Sequence, residues 1–251
     1  MIKNLYLVLI GIVTVASSCR TTYPAEIESR QYVIDGKDEP APSDSIQAII
    51  APYKSELDAT MNERVGRTSA MLNKSQPEGT LNNWVADAIY AMANPLQRES
   101  LDFAVQNYGG IRLTELPKGP VTVRTFYELM PFDNRITVVE MDLPTLRQFI
   151  AHMAARGGWP VSAQLRYGIL DGKPFKIKLH GKPLREDRIY RVAMPDYVAN
   201  GGDETDFLEQ SKKSDLDLLV RDALIDFARA ENAAGRPLSA EIDGRVVTVN
   251  Q

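Results

Sequence analysis

The stretch QNYGGIRLTELPKGPVTVRTFYELMPFDNRI, Gln106–Ile136, decides how this chain is read. It follows the apolar run Leu101–Val105 and gathers Asn107, Gly109, Gly110 and Arg112 into one short segment. Glycines let a backbone turn sharply or approach a ligand closely. Asn and Arg side chains add hydrogen-bond donors in fixed geometry. The same residues also build an ordinary strand-to-turn connection, so the rest of the chain has to decide.

A companion stretch, MPDYVANGGDETDF, spans Met194–Phe207 and repeats the theme with Tyr197, Asn200, Gly201, Gly202 and Asp203. Two Gly-Gly loops, each after a strand-like run, could converge on one ligand. Phe132 and Tyr197 would then offer flat faces for a base, a contact worth about 1–3 kcal/mol by analogy with nucleobase stacking. Arg112 has the fork of donors that grips a phosphate, and Asp203 could accept from vicinal hydroxyls, as acidic residues do for ribose. Paired Gly-Gly turns and core aromatics are common, so residue chemistry alone leaves the structural alternative open.

The 251 residues are 44% hydrophobic, which suits a globular chain with a sizeable core. Net charge is −4, from 29 basic and 33 acidic residues mixed along the sequence. No basic stripe provides an electrostatic footprint for nucleic acid. The start, MIKNLYLVLIGIVTVASSC, has Lys3, an apolar run from Leu5 to Ala16, and small residues before Cys19, the single cysteine. A run this short reads as an export signal rather than a membrane span, and its end resembles a bacterial lipobox. The expectation is a signal peptide over 1–18, lipidation at Cys19, and a Pro- and Ser-rich tether over 19–45 that includes GKDEPAPSD. The protein would then be exported and held at a membrane, on its periplasmic or cell-surface face.

From residue 46 to 251 the periodicities predict one domain. Helical stripes fall at Ile46–Met61, with Pro52 a possible kink, at Leu81–Met92, near Thr125–Met130, at Leu143–Met153 and at Leu216–Ala230. Strands are expected at 101–106, Arg135–Met141, 165–170, 174–179, 188–194 and in the final GRVVTV. Helices and strands intersperse without a regular βαβ rhythm, which indicates an α+β fold, a mixed sheet with packed helices.

Hydrolysis needs an activated nucleophile, paired carboxylates or a metal. The two histidines, His152 and His180, lie on a predicted helix and in a turn, with no metal-ligand pattern beside either. A binuclear centre recruits several His with Asp and Asn, and no Ser sits in a nucleophile elbow.

Four ordered motifs carry a resemblance. NYGGIR…GPVTVRTFYELMPFDNRI, MPDYVANGGDETDF, LNNWVADAI and MDLPTLRQFI are similar in order and spacing to the C-terminal domain of 5'-nucleotidases. The family pairs an N-terminal metallophosphoesterase domain, holding two metal ions, with a C-terminal domain that binds the nucleoside between two aromatic rings. The resemblance implies a 5'-nucleotidase C-terminal-domain-like fold over 46–251. It implies Phe132 and Tyr197 as the rings, Asn107 on the base, Arg112 at the phosphate side and Asp203 at the ribose, on loops shaped by Gly109, Gly110, Gly201 and Gly202. The chain departs from the family at Tyr108, Asn82 and Glu204, each in place of glycine. A second family arginine would fall near Ser75, with Lys74 and Arg67 the nearest cations.

The sequence shows no metallophosphoesterase segment or catalytic residues of its own, so a self-sufficient nucleotidase is not expected. The leading expectation is the nucleotide- or nucleoside-recognition half of a split 5'-nucleotidase. It would need no cofactor in this chain and would work with a separate chain carrying the divalent metals. The alternatives are a non-catalytic nucleoside- or nucleotide-binding lipoprotein and a degenerate structural module.

Overall fold

The computed structural model describes residues 43–249, and a compact unit spans Ile49–Gln251. The expected signal peptide, Cys19 and nearly all of the expected tether lie outside the described residues.

The first helix, α1 (Asp44–Met61), contains Pro52 without breaking. Its predicted apolar stripe does form, but Ile49, Ile50, Tyr53 and Leu57 are exposed and none of its residues is buried. After it come β1 (Arg64–Thr68), β2 (Leu72–Asn73), α2 (Thr80–Ala93), β3 (Phe103–Ala104), β4 (Glu115–Leu116) and β5 (Gly119–Thr122). Then follow α3 (Val123–Leu129), β6 (Arg135–Met141), α4 (Leu143–Ala155), β7 (Leu165–Leu170), β8 (Lys173–Leu179) and β9 (Tyr190–Pro195). The short α5 (Asp196–Ala199), then β10 (Lys213–Leu219), α6 (Val220–Ala233) and β11 (Val246–Thr248) complete the order.

The central sheet runs β10-β6-β9-β3, with β6 antiparallel to both neighbours and β3 parallel to β9, so the sheet is mixed as expected. Strand alternation sends successive side chains to opposite faces. Ile136, Val138, Ala193 and Ala104 join one core with α2, α3 and α6. Val139, Met141, Val192, Met194, Phe103 and Val105 join a second core with α4 and β7. Each face is thereby covered, and the second sheet, β11-β7-β8, extends the α4 side. Helix α4 starts where Asp142 accepts from the Thr145 amide at 2.9 Å, with Pro144 in its first turn.

Two predicted boundaries change. The helix expected over Leu216–Ala230 begins only at Val220, because Lys213–Leu219 pairs antiparallel with β6 as an edge strand. The strand expected over 101–106 is a two-residue ladder, extended by a single bridge from Val105 to Val161. By their registers, β3, β9 and β10 all end at the same end of the central sheet, where β6 begins.

Candidate ligand-binding cleft

The cleft forms where three loops leave the central sheet. The first follows β3, the second joins α3 to β6, and the third follows β9 and α5. It encloses about 330 Å³ and is lined by Asn107, Gly109, Gly110, Arg112, Phe132, Asn134, Tyr197 and Asp203. All five predicted contact residues meet there, together with Gly109 and Gly110 of the first loop. Gly201 and Gly202 stand behind the lining.

Asn107 is buried at the entry to a single 3-10 turn, Tyr108–Gly110. Its Oδ1 accepts from Gln106 Nε2 at 2.7 Å, and its Nδ2 donates to Asp203 Oδ2 at 2.7 Å. A Cβ at Gly110 would meet the Gln106 and Asn107 side-chain amides, so a larger residue there would have to displace the two side chains that set the Asn107 hydrogen bond. Asp203 Oδ1 accepts from the Tyr197 hydroxyl at 3.1 Å. Asp203 and Glu204 both adopt left-handed backbone, φ 54° and 62°. Gly202 lies so close to Tyr197 that a Cβ would sit 2.5 Å from both its ring and its carbonyl oxygen.

Phe132 and Tyr197 keep 44% and 47% of their surface exposed while lining the same cleft. Large aromatics left open on a cleft wall are available for stacking. The Arg112 guanidinium lies 5.7 Å from the Phe132 ring centre, and its Nη1 donates to the Gly109 carbonyl at 3.3 Å. Lys74 stands beside it. Its Nζ donates to the Ile111 carbonyl at 2.7 Å and rests 4.1 Å from the Tyr108 ring centre. Burial, and then the Arg112 charge, pull the Lys74 ammonium below its ordinary pKa. Tyr108 therefore packs over Lys74 rather than filling the cleft, while Arg67 sits exposed on β1, outside the lining.

Two contributors had no assigned role from the sequence. Asn134 lines the cleft two residues after Phe132, inside the quoted PFDN segment. Arg221 is buried at the start of α6 and reaches the Phe132 loop, donating to Asp133 Oδ1 at 2.6 Å. No local pattern marks it, since its contact lies 88 residues away in sequence.

Among the described residues no group of three or more His, Cys, Asp or Glu is arranged to hold a cation. His152 packs edge-on against Trp159 and Phe207, and His180 is exposed in its turn. No helix among the described residues is long and apolar enough to cross a membrane.

The model of the 5'-nucleotidase, C-terminal domain family matches residues 58–210, a span that includes every lining residue of the cleft. The chain belongs to that family. Its curated relatives include a 5'-nucleotidase of Vibrio cholerae, 32% identical over 117 residues, covering 45% of this chain and 21% of the relative. The cell wall protein Lmo0130 of Listeria monocytogenes is 28% identical over 240 residues, covering 84% of this chain and 30% of the relative. Protein UshA of Escherichia coli is 23% identical, covering 73% of this chain and 32% of the relative. The chain thus spans a third or less of the length of these relatives. Among solved structures, the 5'-nucleotidase precursor of Thermus thermophilus superposes with a TM-score of 0.67 at 22% identity, over 82% of this chain and 43% of that one. The fold of a 5'-nucleotidase C-terminal domain is therefore present.

Proposed function

We propose that this chain is the nucleotide- or nucleoside-recognition half of a split 5'-nucleotidase, hydrolysis being performed by a separate metallophosphoesterase chain. The observation that carries the reading is the convergence of Asn107, Arg112, Phe132, Tyr197 and Asp203 on one cleft. A planar base enters between the open faces of Phe132 and Tyr197, where stacking is worth about 1–3 kcal/mol. The Asn107 amide reads a base edge, and the Asp203 carboxylate, already preorganised by Asn107 and Tyr197, receives the ribose hydroxyls.

The phosphate side is cationic. Arg112 supplies a fork of donors and Lys74 a point charge beside it. This pairing supports a phosphorylated ligand even though the sequence around Ser75 lacks the second arginine that the family resemblance implies. The chain's own part in turnover is positioning: it holds the base and ribose so that the phosphate is presented to the partner, whose divalent metals supply the hydrolytic water. We further propose that Cys19 is lipidated and holds the protein on the periplasmic or cell-surface face of a membrane. Metabolic labelling with a fatty acid, lost in Cys19→Ser, tests that part.

Calorimetry with AMP and adenosine on the purified protein tests recognition, and phosphate release from AMP with and without a metallophosphoesterase chain tests the division of labour. Binding without turnover, with turnover restored by the second chain, is the expected result. Binding that no such chain converts to turnover favours the non-catalytic binding lipoprotein. No heat with either ligand at millimolar concentration overturns the recognition reading.

A further inference from the structure

We infer that Arg221 is a positioning residue that holds Phe132 on the wall of the cleft. The Phe132 side chain has 44% of its surface open, so its own packing does little to fix it. Its place depends on the backbone of residues 130–134, the connection between α3 and β6.

That connection is tied down almost wholly from the start of α6. The Val220 amide donates to the Asn134 carbonyl at 2.8 Å. Arg221 donates through Nη2 to Asp133 Oδ1 at 2.6 Å, and through Nη1 to the Met130 and Phe132 carbonyls at 3.4 and 3.5 Å. Its guanidinium also lies over the Tyr127 ring, 4.0 Å from the centre, at the end of α3. One side chain therefore touches a ring in the last turn of α3, the backbone on both sides of Pro131, and the carboxylate next to Phe132.

Only an arginine can do all of this. The planar fork serves carboxylate and carbonyl at once while its face stacks on an aromatic ring. A lysine keeps the charge but has neither fork nor face. Arg221 is 5% exposed, so its charge is withdrawn from water and depends on the partners it has. Asp133 is largely solvated, with 78% of its side chain exposed, and it is the carboxylate that meets that buried charge. The family reading accounts for the aromatic wall but assigns nothing to Arg221.

What Phe132 does rests on the recognition reading above; how it is held does not. The test therefore uses two readouts on the full chain, with Arg221→Lys and Asp133→Asn. The first is amide hydrogen exchange of Met130 and Val220 in the free protein, whose N–H groups donate to the Phe126 and Asn134 carbonyls at the two ends of the connection, with β6 as an internal control. The expected result is exchange about tenfold faster at those two amides, with β6 unchanged. The second is calorimetric affinity for adenosine, expected to fall about fivefold to tenfold in both variants. Unchanged exchange in both variants overturns the tether. Faster exchange with unchanged adenosine affinity overturns the positioning role. Should wild-type protein bind neither adenosine nor AMP, the recognition reading is what fails, and the exchange comparison decides the tether alone.

Discussion

Asn107 and Asp203 lie 96 residues apart in sequence and are joined by a 2.7 Å hydrogen bond from Nδ2 to Oδ2. The bond crosses from the loop after β3 to the loop after β9, so it links the two Gly-Gly segments into one cleft floor. A hydrogen bond to a charged group contributes about 1.5–3 kcal/mol. Asn107→Ala removes it and also removes the proposed base contact. We expect adenosine affinity to fall by more than about tenfold, while Asn107→Asp, which sets two carboxylates face to face, falls further. Calorimetry on both variants checks the order; an aspartate that binds as well as asparagine would mean that Asp203 is not the acceptor.

Gly202→Ala tests the closeness of Tyr197. The added methyl would meet the Tyr197 ring and carbonyl oxygen at 2.5 Å, inside van der Waals contact, and neither can withdraw without moving the loop. The expected outcome is loss of adenosine affinity with a folded protein, because the Tyr197 side chain is half exposed and belongs to neither core, although Val198, Ala199 and Leu208 beside it belong to the second. Near-ultraviolet dichroism and binding, measured together, separate loop displacement from unfolding. Retained affinity would show that the Tyr197 wall is adjustable.

Glu204 poses a question of sign. Its left-handed backbone, φ 62°, costs a residue with a Cβ about 1 kcal/mol relative to glycine. Its ion pair with Arg156, 2.6 Å from Nη2 to Oε2, involves a carboxylate 84% exposed and contributes about 0–1 kcal/mol. The two effects nearly offset in Glu204→Gly, whereas Glu204→Ala loses the pair and keeps the strain. Urea midpoints should therefore rank glycine above alanine by about 1 kcal/mol of stability. An alanine variant as stable as the glycine one would contradict the backbone geometry.

His152 predicts a pH dependence. Burial first, and then Arg156, whose Nη1 lies 3.1 Å from Nδ1, push its pKa below the ordinary value of 6.5, against the opposing pull of the Asp203 backbone and the Asp203 and Glu204 charges. Because the folded pKa is the lower one, the unfolded chain binds the proton more readily. Stability is therefore unaffected well above pH 6.5 and declines as pH falls from there toward the folded pKa. Between pH 5 and 8 the difference in thermal midpoint between wild type and His152→Gln should become constant at the alkaline end, where only the lost ring packing against Trp159 and Phe207 separates them. The wild type should show the steeper acid decline; parallel curves would remove His152 from the account.

The regular elements with a clean period were legible before any coordinates. Arg135–Met141 alternates β-branched residues and is β6 to the residue, and Leu143–Met153 carries a single stripe behind an Asp cap. Leu216–Leu219, the second half of β10, fall within the predicted helix because Leu216 and Leu219 continue the three- and four-residue spacing of α6. What makes it a strand is the partner β6, a tertiary effect that local spacing does not contain. The cleft divides the same way. Five of its lining residues, Asn107, Arg112, Phe132, Tyr197 and Asp203, sit in two short motifs and are legible there, whereas Arg221 reaches the loop only through the fold. The exposed stripe of α1 shows the converse, a correct period whose burial nothing in the period guarantees.

The strand β11 pairs in parallel with β7, Val246 opposite Tyr167, and the adjoining Arg245 is buried with its Nη1 on Asp87 at 2.9 Å and on the Val161 carbonyl at 3.0 Å. These contacts close loops of about 80 and 160 residues. Long closures of this kind slow folding, since the chain entropy is lost before the contact rewards it. The second core therefore cannot be completed on a nascent chain until Arg245–Thr248 have been synthesised. Until β11 docks, the second core lacks Val246 and stays unfinished.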